Sequence, residues 1–170
     1  MEKRDPKERP AKVGRSIIII GVGNPYRGDD GAGLAVARSL RPRAPRGVAV
    51  LEQNGEPASL IAAWEGAEAV ILVDAVSSGS KPGTIHALDA VQTPLDRDLF
   101  RYSIHAFGVA EAVELSRALG SLPRMLWVYG IEGGSFGMSE ELGADVLAAV
   151  PRAAEAVLDK IEEIVSRPSI

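Results

Sequence analysis

SIIIIGVGNPYRGDDGAG, residues 16–33, decides the fold class. Its four consecutive isoleucines are β-branched and apolar on both faces, which suits a strand buried inside a parallel sheet. The strand expected at 16–22 runs into a glycine-rich loop, and the segment from Ala32 to Leu40 then reads as a helix stopped near Pro42. The same alternation continues outward. GVAVLEQ (47–53) reads as a strand, and Pro57 to Trp64 as a short helix with proline in its first turn. AEAVILVDA (67–75) is a third strand, apolar on both sides, and TIHAL (84–88) a short fourth. Residues 89–104 read as irregular. HAFGVAEAVELSRALG (105–120) is a helix ended by Gly120. MLWVYGI (125–131) is a strand, and 144–165 an amphipathic helix with a kink expected at Pro151. Strand and helix in turn predict an α/β fold of three layers, a mostly parallel twisted sheet with helices on both faces.

A chain of 170 residues fits one domain able to bury a core without staples. That domain is expected at 16–170, behind a disordered basic arm at 1–15. The arm holds six Lys or Arg against three acids, a net +3, which leaves −7 for the rest of a chain whose total is −4. An acidic body argues against nucleic acid as the partner, because phosphate binding needs a basic face. The absence of cysteine removes disulfides, thiolate metal sites and a cysteine nucleophile, and is compatible with the cytoplasm. The N-terminus lacks the apolar core of a signal peptide, and no apolar run is long enough to span a bilayer, so no membrane association is expected.

In open α/β sheets, sites form beyond the carboxyl ends of the strands. Three polar groups are expected there. Asp74 ends the apolar run VILV, where a carboxylate must be paired, hydrogen-bonded or bound to a cation, or else simply closes the strand as a turn residue. Asp29 and Asp30 follow the first strand. Asp29 reads as a helix-opening acid and Asp30 as the functional one. His105 opens a helix, where the dipole disfavours its charged form and leaves a neutral imidazole able to ligate a metal. The only other histidine, His86, lies in a short strand and reads as structural. Two carboxylates and one imidazole make a three-ligand set with open coordination positions. Nickel or zinc suits such a set. GVGNPY begins like a dinucleotide fingerprint, but Tyr26 holds the third glycine position, and neither a GK[ST] phosphate loop nor a G-x-S-x-G elbow occurs. The glycines read instead as a sharp turn that exposes the acid pair.

Four blocks, GVGNPYRGDDGAG, VILVDAVSSGSKPG, SIHAFGVAEAVELSRALG and YGIEGGSFG, occur in the order of the hydrogenase maturation endopeptidases. The chain resembles that family from about Ile17 to about Val157. The resemblance implies a phosphorylase/hydrolase-like α/β fold and metal contacts from Asp30, Asp74 and His105. It implies catalytic roles for Asp30 and Asp74, with either a carboxylate or the bound metal activating water. Asp30 is often Glu in the family, so the metal is expected slightly deeper here. The implied reaction is removal of the C-terminal extension from a nickel-loaded hydrogenase large-subunit precursor. The precursor is the implied partner and brings the nickel, for which zinc or cadmium can stand in. Asn24, Tyr26, Glu56 and Glu132 are further candidates for substrate contact, although a loop-organising role suits Glu132 better. Two alternatives stand beside it: a zinc-type hydrolase of small amides or peptides that uses the same three residues, and a non-catalytic nucleotide-binding module built on the GVGNPYRG loop.

Overall fold

The isoleucine run forms β1 (Ile17–Val22), buried on both faces as a central strand must be. A computed structural model describes residues 16–96 and 106–167 of the chain. The expectations for the arm at 1–15, for residues 97–104 and for His105 fall outside the described residues. The elements that follow β1 are α1 (Ala32–Leu40), β2 (Val48–Gln53), α2 (Pro57–Trp64), β3 (Ala69–Val76), β4 (Ile85–Asp89), α3 (Ala106–Ala118), β5 (Met125–Glu132) and α4 (Ala144–Ser166). The sheet order is β2-β1-β3-β5-β4, and only β4, on the edge, runs antiparallel.

Period-two alternation divides the core between two faces. Ile17 and Ile19 of β1, with Ala69, Ile71 and Val73 of β3, pack with α1 and α4. Ile20 and Val22, with Val70, Leu72 and Val76, pack with α2 and α3. Every residue of β3 is buried. Burying each of its larger aliphatic side chains is worth roughly 1.5–3 kcal/mol, so β3 anchors all three layers.

The positions that matter for a site follow from this order. From β1 the chain passes through α1 to β2, then through α2 to β3 on the other side of β1. The strand order therefore reverses at β1, and a crevice opens between the carboxyl ends of β1 and β3. A Cβ on Gly33 would lie 2.2 Å from the Val73 carbonyl oxygen and 2.3 Å from that of Val22. Glycine there lets the first turn of α1 sit directly on the β1–β3 junction. Its neighbour on the sheet, Gly21, faces the Gly33 carbonyl at 2.4 Å from its own would-be Cβ. These glycines serve close packing of helix on sheet.

Two boundaries differ from the sequence reading. β3, expected at 67–75, runs Ala69–Val76, and its last residue still pairs with Glu132 of β5. α4 runs from Ala144 to Ser166, one residue beyond the expected 144–165, with Pro151 inside it.

Candidate functional site

Asp74 occupies an even-numbered position of β3, on the face shared with Val70, Leu72 and Val76 and covered by α2 and α3. It is fully buried. Its Oδ1 accepts the Ala75 N–H at 2.8 Å, while its Oδ2, also buried, has no hydrogen-bond partner among the described residues. Burial, and next to it the negative charge of Asp30, push the Asp74 carboxyl well above the ordinary aspartate value of 3.8, against a smaller opposing effect of the Ala75 N–H.

Asp30 lies in a single 3₁₀ turn, Gly28–Gly31, between β1 and α1. Its backbone is locked from two sides. Its carbonyl accepts the Asn24 N–H at 3.3 Å, and its N–H donates to the Arg27 carbonyl at 3.2 Å. A Cβ on Gly23 would lie 2.0 Å from the Asp30 carbonyl oxygen, so only glycine permits this return of the loop. The acid pair is not exposed as the glycine loop suggested. Asp29 is 2% and Asp30 1% exposed. The loop folds back over itself and β5's exit loop covers it.

Asp29 was read as a helix-opening acid, yet its carboxylate does not cap its own turn. Oδ2 accepts the N–H groups of Gly134 and Ser135 at 2.8 and 2.9 Å, and Oδ1 accepts that of Gly143 at 2.7 Å. Gly143 is the N-cap of α4 and has no side chain to supply. Asp29, 114 residues away in sequence, satisfies the N–H of that N-cap residue itself, one of the donors a helix start leaves without an internal partner. The signal in the sequence was the glycine-rich stretch 133–143 facing the acid pair, and periodicity does not reveal such pairing.

The further candidates separate cleanly. Asn24 accepts the Tyr26 N–H at 2.9 Å through Oδ1 and so shapes the turn, leaving Tyr26 59% exposed beside it. Glu56 is the N-cap of α2: its carboxylate takes the N–H groups of Ala58 and Ser59 and the Ser59 hydroxyl. The Ser59 hydroxyl, then the two backbone donors, lower its pKa. Glu132, 1% exposed, accepts from Ser78 N at 2.7 Å, Gly79 N at 3.0 Å and Ser78 Oγ at 2.8 Å, with His86 Nε2 3.2 Å away. Those bonds fill the carboxylate, and Glu132 organises the 77–79 loop. His86 is its partner.

Two candidates thus meet at the switch point, Asp30 and Asp74. His105 lies outside the described residues. The helix that follows it, α3, packs against the sheet face to which Asp74 belongs, and its Gly108 abuts the Gly55 carbonyl, where a Cβ would come within 1.8 Å. Among the described residues no group of three His, Cys, Asp or Glu can hold a metal. The donor chemistry of the pair nonetheless fits a cation. One carboxylate oxygen is buried without a donor, and a second acid bears on it. The same arrangement disfavours a nucleotide, since two buried acids stand where a pyrophosphate would meet the start of α1. No helix among the described residues is long and apolar enough to cross a membrane.

A three-layer α/β protein with electrostatically coupled carboxylates at its switch point has the equipment for acid–base or cation-dependent chemistry. Comparison with known proteins narrows this. The family model for hydrogenase maturation protease matches residues 35–160, and the chain belongs to that family. It is 29% identical over 119 residues to the hydrogenase expression/formation protein HupM of Azotobacter chroococcum mcd 1. That match covers 69% of this chain but 57% of the relative, so the chain spans little more than half of that protein's length. The hydrogenase 2 maturation protease of Escherichia coli is 28% identical, over 86% of this chain and 91% of its own. Among solved structures, the hydrogenase maturating endopeptidase HybD from E. coli superposes with a TM-score of 0.73 at 27% identity, covering 86% of this chain and 92% of that one.

Proposed function

We propose that the protein is an endopeptidase that removes the C-terminal extension of a nickel-loaded hydrogenase large-subunit precursor. The observation that supports this reading best is the buried pair Asp30 and Asp74, in which one Asp74 oxygen lacks a donor and the Asp74 carboxyl holds its proton unusually firmly. Such a group gives up its proton when a cation arrives, so the pair is suited to take one. With His105 as the third donor, the set is small and weak without thiolates, which suits metal brought in by the substrate. Cutting then depends on correct loading of the precursor. Zinc or cadmium has the donor preferences to occupy the same set.

Hydrolysis adds water across the scissile amide: the water oxygen bonds to the carbonyl carbon, the C–N bond breaks, and the released amine gains a proton. Asp30 and Asp74 are the groups in place to take and return that proton. Asp30 and Asp74 would hold a cation, which would supply polarisation of the carbonyl or a lowered pKa for water. The cysteine-free chain is suited to the reducing cytoplasm.

The test is incubation of the full chain with nickel-loaded and nickel-free precursor of the hydrogenase from the same organism, reading the product C-terminus by mass spectrometry. Only the loaded precursor should be shortened. An unchanged loaded precursor would refute the peptidase reading, and equal cutting of both forms would refute metal sensing alone.

A further inference from the structure

Two adjacent acids follow β1, and only one of them belongs to the proposed site. Asp29 is 2% exposed, and its carboxylate bonds to Gly134, Ser135 and Gly143, all in the segment after β5. The backbone repeats the connection. Gly28 N donates to Ser139 O at 2.7 Å, Asp29 N to Ser135 O at 2.9 Å, and Ser139 N to Tyr26 O at 3.1 Å. The Arg27 guanidinium donates to the Phe136 carbonyl at 3.2 and 3.4 Å. The turn that carries Asp30 is therefore fastened to residues 134–143 and, through Gly143, to the first turn of the 23-residue helix α4.

We propose that Asp29 is a positioning residue that sets Asp30 against Asp74 by clamping the Gly28–Gly31 turn to the 134–143 loop and the N-terminus of α4. The inference rests on the reading of Asp30 and Asp74 as the working pair. The physical basis is the fixed geometry of three N–H donors around one carboxylate. The carboxylate fixes the Asp29 Cα against Gly134, Ser135 and Gly143, and the peptide shared with Asp30 is held in turn by its N–H on the Arg27 carbonyl and its C=O on the Ala32 N–H. The carboxylate charge also sits at the positive end of the α4 dipole, which strengthens the hold. Asparagine is nearly the same size but has one accepting atom. Whichever way its amide points, an NH₂ faces Gly143 N–H or the N–H pair of Gly134 and Ser135, and the clamp opens on that side. Glutamate keeps the charge and both acceptors.

The experiment compares D29N, D29E, D30N and V157A, each as the full chain. Val157 is a buried α4 core residue far along the helix, and its truncation supplies a global loss of stability unrelated to the turn. Processing of loaded precursor is measured below every variant's Tm, with kcat and KM determined separately. D29N should lower kcat at least tenfold with KM within about threefold, D29E should recover a measurable part of kcat, and V157A should stay within twofold of wild type. Wild-type kcat in D29N together with an inactive D30N would overturn the positioning role and leave the site reading intact. Wild-type activity in D30N would overturn the site reading and this inference with it. A loss in V157A matching that in D29N at equal Tm would assign the effect to stability and overturn the proposal.

Discussion

Asp74→Asn should make the metal-free protein more stable at pH 7 while ending its activity. The substitution preserves shape and keeps an oxygen to accept the Ala75 N–H. It removes a negative charge from a fully buried position facing the charge of Asp30, and it replaces the Oδ2 that lacks a donor with an NH₂ group. A buried acceptor without a partner costs about 1–3 kcal/mol. An amide is desolvated too, so the expected net gain is about 1–2 kcal/mol, or a rise in Tm of roughly 2–8 °C for a domain of this size. The gain must depend on pH. Asp74 has its folded-state pKa raised above the ordinary 3.8. Below that value the carboxyl is protonated in both folded and unfolded chains, and wild type carries no penalty. As pH rises, the unfolded chain ionises freely while the folded one resists, so wild type loses stability through the folded pKa and the mutant does not. The assay is thermal unfolding of both proteins from pH 3 to 7.5 with EDTA present. Equal stability at pH 7, or a mutant advantage that stays flat across the range, would refute the account of Asp74 as a strained, buried acid.

Four other outcomes follow from the same geometry. His105→Ala should abolish precursor processing while leaving the circular dichroism spectrum unchanged, and full activity would remove His105 from the proposed set. Gly33→Ala should destabilise by about 3 kcal/mol in urea unfolding, because the added methyl meets the carbonyls of Val73 and Val22 at 2.2 and 2.3 Å. Glu132→Gln should cost about 2 kcal/mol, since charge-assisted bonds to Ser78 and Gly79 are lost, and should speed limited proteolysis between residues 77 and 80. Glu56→Ala should lower Tm slightly by uncapping α2 and leave KM for the precursor unchanged, whereas a raised KM would restore Glu56 as a substrate contact.

Much of this protein is legible in its order of residues alone. The runs IIII and AVILV are β-branched or apolar at every position, and such runs are stable only with both faces covered. That condition predicts a central parallel sheet with helices on either side. Pro57, Gly120 and the glycine loop punctuate the helices through backbone geometry that is local to each residue. Asp30 and Asp74 could be picked out because each follows or interrupts an apolar strand, where a carboxylate is costly without a purpose.

Other features depended on partners far away in the chain. β3 extends to Val76, one residue beyond the strand read from the sequence, because β5 offers Glu132 in register. Asp29 and Asp30 are chemically identical neighbours, yet one binds three N–H groups from residues 134–143 and the other bears on Asp74. Glu132, read as a loop-organising acid, takes its donors from Ser78 and Gly79 more than fifty residues away, whereas Glu56 caps its own helix through Ala58 and Ser59. Hydrogen-bond partners separated by about a hundred residues leave no periodic trace, so the division of labour among these acids was decided only when the sheet closed and its loops met.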